Sequence, residues 1–101
     1  MTELIEGGVY AQKQRVLRWA VFKVLKLDAE VAHLRLYKQT FWRRPTAQAI
    51  PGLDWSLGHF PIARPNVEGW RVHLLAQVPV SSEELQGYEI WREDPNAGFF
   101  P

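Results

Sequence analysis

Apolar and polar side chains alternate along the chain in short extended runs, separated by Gly, Pro and charged breaks. After Gly7-Gly8, the stretch Val9-Tyr10-Ala11-Gln12-Lys13 carries a compact apolar side chain at every second position, the period of a half-buried strand. Residues 16–27, VLRWAVFKVLKL, are apolar on both alternations. Leu17, Trp19, Val21, Leu25 and Leu27 fall on one, and Val16, Ala20, Phe22 and Val24 on the other. A long strand that curls around a barrel has this pattern, because successive stretches of it face the core. Leu17, Ala20, Val21, Val24 and Leu25 also fit a helical stripe. The Val, Trp and Phe residues favour the strand, since β-branched and aromatic side chains suit a pleated surface.

Asp28-Ala29-Glu30 interrupts the pattern and Val31–Lys38 resumes it, with Ala32, Leu34 and Leu36 on one side and His33, Arg35 and Tyr37 on the other. A hairpin is expected. In FWRRPTAQAIPGLDWS, Pro45 and Pro51 remove ladder donors and, with Gly52, break regular structure, which predicts an extended loop with one short strand near 47–50. Leu57–Ile62 reads as a brief strand that Pro61 and Pro65 confine to an edge or bend. Val72, Leu74, Ala76, Val78 and Val80 share one face and predict a strand with one buried side, ended by Pro79. Ser81-Ser82-Glu83-Glu84 has the form of a capping box, so a short helix starts there and stops at Gly87 or runs on through Trp91. Residues 93–101 form an irregular tail whose two Phe either dock on the body or stay exposed.

The order GGVYA, WAVFKVLKLD, VAHLRLYKQTFWRRP, LGHFPI and VPVSSEELQGYEIW resembles small, uncharacterised bacterial proteins with an SH3-like barrel. The resemblance implies a mainly β fold: a strongly bent, five- or six-stranded barrel with one short C-terminal helix. It brings no catalytic residues. The chain lacks the ALYDY-type stretch of peptide-binding SH3 domains, and no aromatic cage of a methyl-lysine reader can be picked out.

At 101 residues, 47% hydrophobic and 23% charged, the chain is expected to fold as a single domain over residues 1–101. With no Cys, disulfides, thiolate metal sites and cysteine nucleophiles are excluded, and the composition fits a reducing cytoplasm. The acidic start and the lack of a long apolar run predict neither an export signal nor a membrane span. The net charge of +1 hides an asymmetry. Residues 1–50 hold nine Lys/Arg against four Asp/Glu, and residues 51–101 three against seven. Interleaved strands would neutralise the two halves; separated halves would leave a dipole.

No cofactor, metal or catalytic residue is predicted. His33, His59 and His73 match no ligand spacing, and His33 and His73 fall on polar alternations, which predicts solvated or singly bonded rings. Asp54, Ser56 and His59 contain the residue types of a triad without any motif that would assemble one. Phe41-Trp42-Arg43-Arg44 is the most suggestive segment, because aromatic planes and guanidinium groups recognise bases, phosphates and carboxylates. With Trp55 and His59, the residues Trp42, Arg43 and Arg44 form the candidate partner-binding set. The expected function is a non-catalytic protein-interaction module, a regulator or a toxin-neutralising partner. The alternative is a nucleic-acid-binding small barrel, disfavoured by a pI near 8.1. A small enzyme comes third.

Overall fold

Gly7 turns the chain into its first strand at φ +83°, where a Cβ would meet the Val78 carbonyl oxygen at 2.7 Å, so only glycine fits. From there its N–H donates to the Val24 carbonyl at 2.7 Å and its carbonyl accepts from the Val78 N–H at 2.8 Å. The computed structural model describes residues 3–101. It contains β1 (Gly8–Lys13), β2 (Trp19–Leu27), β3 (Val31–Phe41), a 3-10 helix (Ala47–Gly52), β4 (Trp55–Ala63), α1 (Arg64–Glu68), β5 (Val72–Gln77) and α2 (Gln86–Glu93). The strands form one antiparallel sheet in the order β4-β3-β2-β1-β5. The mainly β class is as expected, but the sheet is open: β4 and β5 are its edges, and they do not pair.

Register places the strongest apolar positions on one face. Tyr10 pairs with Phe22, and Val24 with Leu34, which in turn faces Phe60. Tyr10, Phe22, Val24, Ala32, Leu34 and Ile62 form the core with Leu4 and Val67. The Tyr10 and Phe22 rings stack at 5.4 Å, and Trp70 meets Phe22 edge-on at 5.6 Å. The Tyr10 hydroxyl accepts from the Ile5 N–H at 3.0 Å, so its buried oxygen is satisfied. Burial, partly offset by that bond, raises the Tyr10 pKa.

Several expectations are corrected. Residues 16–27 are not one strand: β2 begins at Trp19, and Val16 and Leu17 lie in the turn closed by the Gln14 N–H donating to the Arg18 carbonyl at 2.9 Å. Their apolarity therefore reflects no core contact. The 47–50 segment is 3-10 helix rather than strand, its backbone satisfied by turn bonds such as Ala49 N–H to the Thr46 carbonyl. β4 is longer than expected and tolerates Pro61. The Pro61 carbonyl points outward, to the Phe100 N–H at 3.0 Å, so its missing N–H lies on the side away from β3. β5 has the cleanest alternation but no buried residue, since it is an edge strand; Leu74 is 51% exposed.

The capping box forms as written, with the Glu84 N–H donating to Ser81 Oγ at 3.1 Å and the Ser81 N–H to Glu84 Oε1 at 2.9 Å. The helix expected to start at this box does not: residues 82–85 are turn, and α2 begins at Gln86 after Leu85, which caps it without a side-chain bond, then runs through Gly87 and past Trp91. In the tail, Phe100 docks: it bridges to Ile62 and stacks on Phe60 at 4.9 Å. No helix among the described residues is long and apolar enough to cross a membrane.

Candidate functional site

The alternation that sends Phe22 and Leu34 into the core sends Lys23, His33 and Arg35 to the opposite face. Lys23 and Arg35 are direct cross-strand partners, a like-charge pair that needs an anion nearby. Glu84 supplies it. Lys23 is only 2% exposed, yet each of its three ammonium protons has an acceptor: Glu84 Oε1 at 3.0 Å, Glu84 Oε2 at 3.1 Å and the Pro79 carbonyl at 3.0 Å. Burial pushes the Glu84 carboxyl up, but bonds from the Ser81 N–H and Lys23, with the charges of Lys23 and Arg35, outweigh it and leave the pKa lowered. Tyr37, farther along the same face, is raised by burial and by the Glu84 charge.

On this face the fold assembles a chain of hydrogen bonds that its sequence spacing does not announce. His33, fully buried rather than solvated, lies 2.8 Å from Asp28 Oδ2 through Nε2 and 2.9 Å from His59 Nε2 through Nδ1. A carboxylate only accepts, so the His33 proton sits on Nε2 and its Nδ1 accepts. His59 therefore donates from Nε2, and its Nδ1 carries a lone pair. The His33 and His59 rings stack at 5.1 Å, and Tyr88 and Trp91 of α2 close edge-on over His33 at 4.7 and 4.6 Å. Burial lowers the His33 pKa, against the pull of Asp28; burial and then repulsion from His33 push His59 down to about 4. Both rings are neutral at physiological pH. Because both His33 nitrogens are bonded, the chain is a relay rather than a ligand set. Among the described residues no three His, Cys, Asp or Glu groups are placed to hold a metal ion.

Beside His59 a cleft of about 310 Å³ runs between β4 and the segment entering α2, lined by Arg35, Trp55, Gly58, His59, Glu83 and Gly87 among others. The Arg35 guanidinium carbon lies 5.2 Å from the Trp55 ring centroid.

A second region lies where the β1–β2 hairpin and the end of β3 meet. Arg18 sits 3.8 Å over the ring of Trp42, which is 64% exposed. In the adjoining turn Val16 and Leu17 are 82% and 62% exposed and hold φ values of 24° and 60°, a conformation that costs non-glycine residues, and a β-branched one most. Next to them an open groove of about 830 Å³ is lined by Lys13, Trp19, Arg44, Trp70, Arg71 and His73, with Glu68 at its side. Arg44 Nη1 lies 3.1 Å from His73 Nδ1. Lys13, Arg18 and Arg44 from the first half of the sequence thus meet Arg71 from the second here, while Lys23 is neutralised elsewhere.

The five candidate residues split between these regions. Trp42 lies at the hairpin end with exposed Arg43 next to it in the chain, Arg44 lines the groove, and Trp55 and His59 line the cleft. The triad of Asp54, Ser56 and His59 does not assemble: Asp54 accepts from Gln39 at 3.2 Å, Ser56 Oγ donates to the Leu36 carbonyl at 3.4 Å, and His59 pairs with His33. Sequence reasoning missed the relay, Lys23 and the Val16-Leu17 turn. His33 sharing an alternation with Arg35 and Lys23 was the available signal that this face needed covering.

No family model matches the chain, and no curated protein or solved structure matches it.

Proposed function

We propose that the protein is a non-catalytic interaction module that grips an acidic segment of another protein at its hairpin end. One observation carries the reading: two apolar side chains, Val16 and Leu17, are held in a strained, outward-facing turn beside the Arg18–Trp42 stack. Strain and exposed apolar area both cost stability, and such features concentrate where a partner uses them. Trp and Arg are the residue types that dominate binding hot spots. Arg15 and Arg18, which flank the turn, and Arg44 in the adjoining groove call for a negatively charged partner. The SH3-like kinship is part of the proposal. A four-strand meander whose fifth strand returns to the first, bent by register shifts in three of its ladders, supports it.

The groove favours a second reading, in which single-stranded nucleic acid stacks on Trp19 and Trp70 and pairs its phosphates with Lys13, Arg44 and Arg71. The apolar turn gains nothing from phosphates, which places this reading second. Tagged protein is used to capture partners from lysate of the source organism, with and without nuclease, in parallel with Trp42→Ala and His59→Gln. A stoichiometric protein lost with Trp42→Ala and kept with His59→Gln supports the module. Nucleic acid removed by digestion, or a protein indifferent to Trp42, contradicts it.

A further inference from the structure

The cleft beside His59 holds two polar groups that the fold leaves unused. Arg35 is in none of the salt bridges of the described residues, and its Nε–H is their single buried side-chain polar atom without a hydrogen-bond partner. Native proteins rarely bury a donor unanswered, and an arginine fork is shaped to take an oxyanion through two N–H groups. The neighbouring Glu84 does not answer it, because its two oxygens are engaged by Lys23 and the Ser81 N–H. Lys23 and Glu84 cancel in charge, which leaves Arg35 as the one cation lining the cleft, with Glu83 as the other charged group of its lining. The Trp55 ring holds its position from one side.

His59 supplies the complement. The Asp28–His33 pair fixes its proton on Nε2, so Nδ1 is an obligate acceptor with no partner among the described residues. Since Nδ1 is not among the buried unpartnered atoms, it opens to the cleft that His59 and Arg35 both line. The two Nη groups of Arg35, which are neither hydrogen-bonded nor among the buried atoms, and a fixed acceptor therefore line one small volume, with the Nε–H enclosed behind them.

We propose that this cleft binds a small oxyanion that carries its own hydrogen-bond donor, such as a hydrogen phosphate or a 2-hydroxy carboxylate. Arg35 takes the charged oxygens, and His59 Nδ1 accepts the hydrogen of the adjacent O–H. Oxyanions without that hydrogen meet a lone pair instead and are rejected, which makes His59 the selecting residue. The site is separate from the hairpin end and does not depend on the function proposed there.

Matched probe pairs test this by nitrogen-detected NMR of the arginine and histidine side chains at neutral pH: hydrogen phosphate against sulfate, and glycolate against acetate. The donor-bearing member of at least one pair is expected to shift both Arg35 Nε and His59 Nδ1 and to bind about tenfold more tightly than its mate, the value of one hydrogen bond. Selection within the phosphate pair alone identifies a phosphate ligand, and within the glycolate pair alone a hydroxy acid. Arg35→Lys, which keeps the charge but loses the fork, is expected to weaken binding, and His59→Phe to level the pairs. The proposal is overturned if no probe moves either resonance at millimolar concentration, or if both members of each pair bind equally with His59 unmoved.

Discussion

Lys23, in the middle of β2, and Arg18, just before it, are both cations on the same stretch of chain, and their surroundings are opposites. Lys23 is buried, and each of its protons is answered by Glu84 or the Pro79 carbonyl. Arg18 stacks on an exposed ring next to an exposed, strained turn. The polar face under α2 thus spends most of its charge holding the structure together, while the hairpin end leaves charge and apolar area open. Net charge alone does not separate these roles; the number of partners each cation finds inside the fold does.

The largest effect is expected where that internal satisfaction is broken. Lys23→Ala leaves Glu84 partly buried and unpaired and should destabilise by about 3 to 5 kcal/mol in denaturant unfolding. Lys23→Met combined with Glu84→Leu should recover most of this, because an apolar pair of similar volume often replaces a buried ion pair without loss. If the single and double variants are equally unstable, the pair is not the lock described here.

The contact between α2 and the relay comes next. A Cβ on Gly87 would lie 2.6 Å from the His59 Cβ, so helix and strand touch through glycine. Alanine favours a helix over glycine by about 1 kcal/mol. Overpacking here should nonetheless win, giving a net loss of about 1 to 3 kcal/mol for Gly87→Ala. A stabilised variant would show that α2 sits loosely on His59.

Acid should loosen the same face. His33 and His59 have depressed pKa values in the folded protein, so the unfolded chain takes up protons first as pH falls. Their contribution is complete above the unfolded histidine pKa of about 6.5 and is lost progressively as pH falls from there toward about 4, the folded value of His59. Urea midpoints measured across that window should decline, and more gently in His59→Gln. Glu84 acts in the same direction but only below its ordinary carboxylate range, which keeps the two contributions apart.

The smallest effect has the opposite sign. Replacing Val16-Leu17 by Asn-Gly, the residues that accept positive φ at least cost, should stabilise the fold by about 1 kcal/mol. Thermal unfolding checks this, and a loss of stability would mean that the turn carries no strain.

Much of the sheet was legible in the sequence because period-two alternation reports burial directly, and the Ser81–Glu84 box because it is local chemistry. The failures share a cause in long-range pairing. Val16 and Leu17 read as strand because apolar side chains signal a core, and only the closure of the hairpin shows that they face outward. Leu74 read as buried because nothing in its alternation says that β5 lies at an edge. The candidate residues do not form one cluster: Trp42 is exposed under Arg18 and Arg44 lines the neighbouring groove, whereas Trp55 and His59 line the separate cleft. The relay was invisible, since Asp28 reaches His33 from the β2–β3 turn and His59 joins them only when β4 lies against β3.

The most direct test of the central claim, that the hairpin end is kept strained and exposed for a partner protein, is quantitative capture from nuclease-treated lysate by the natural chain and by the Val16→Asn, Leu17→Gly variant. The account predicts a stoichiometric protein on the natural chain that is lost from the variant despite its higher stability. The same protein on both in equal yield, or none on the natural chain, would contradict it.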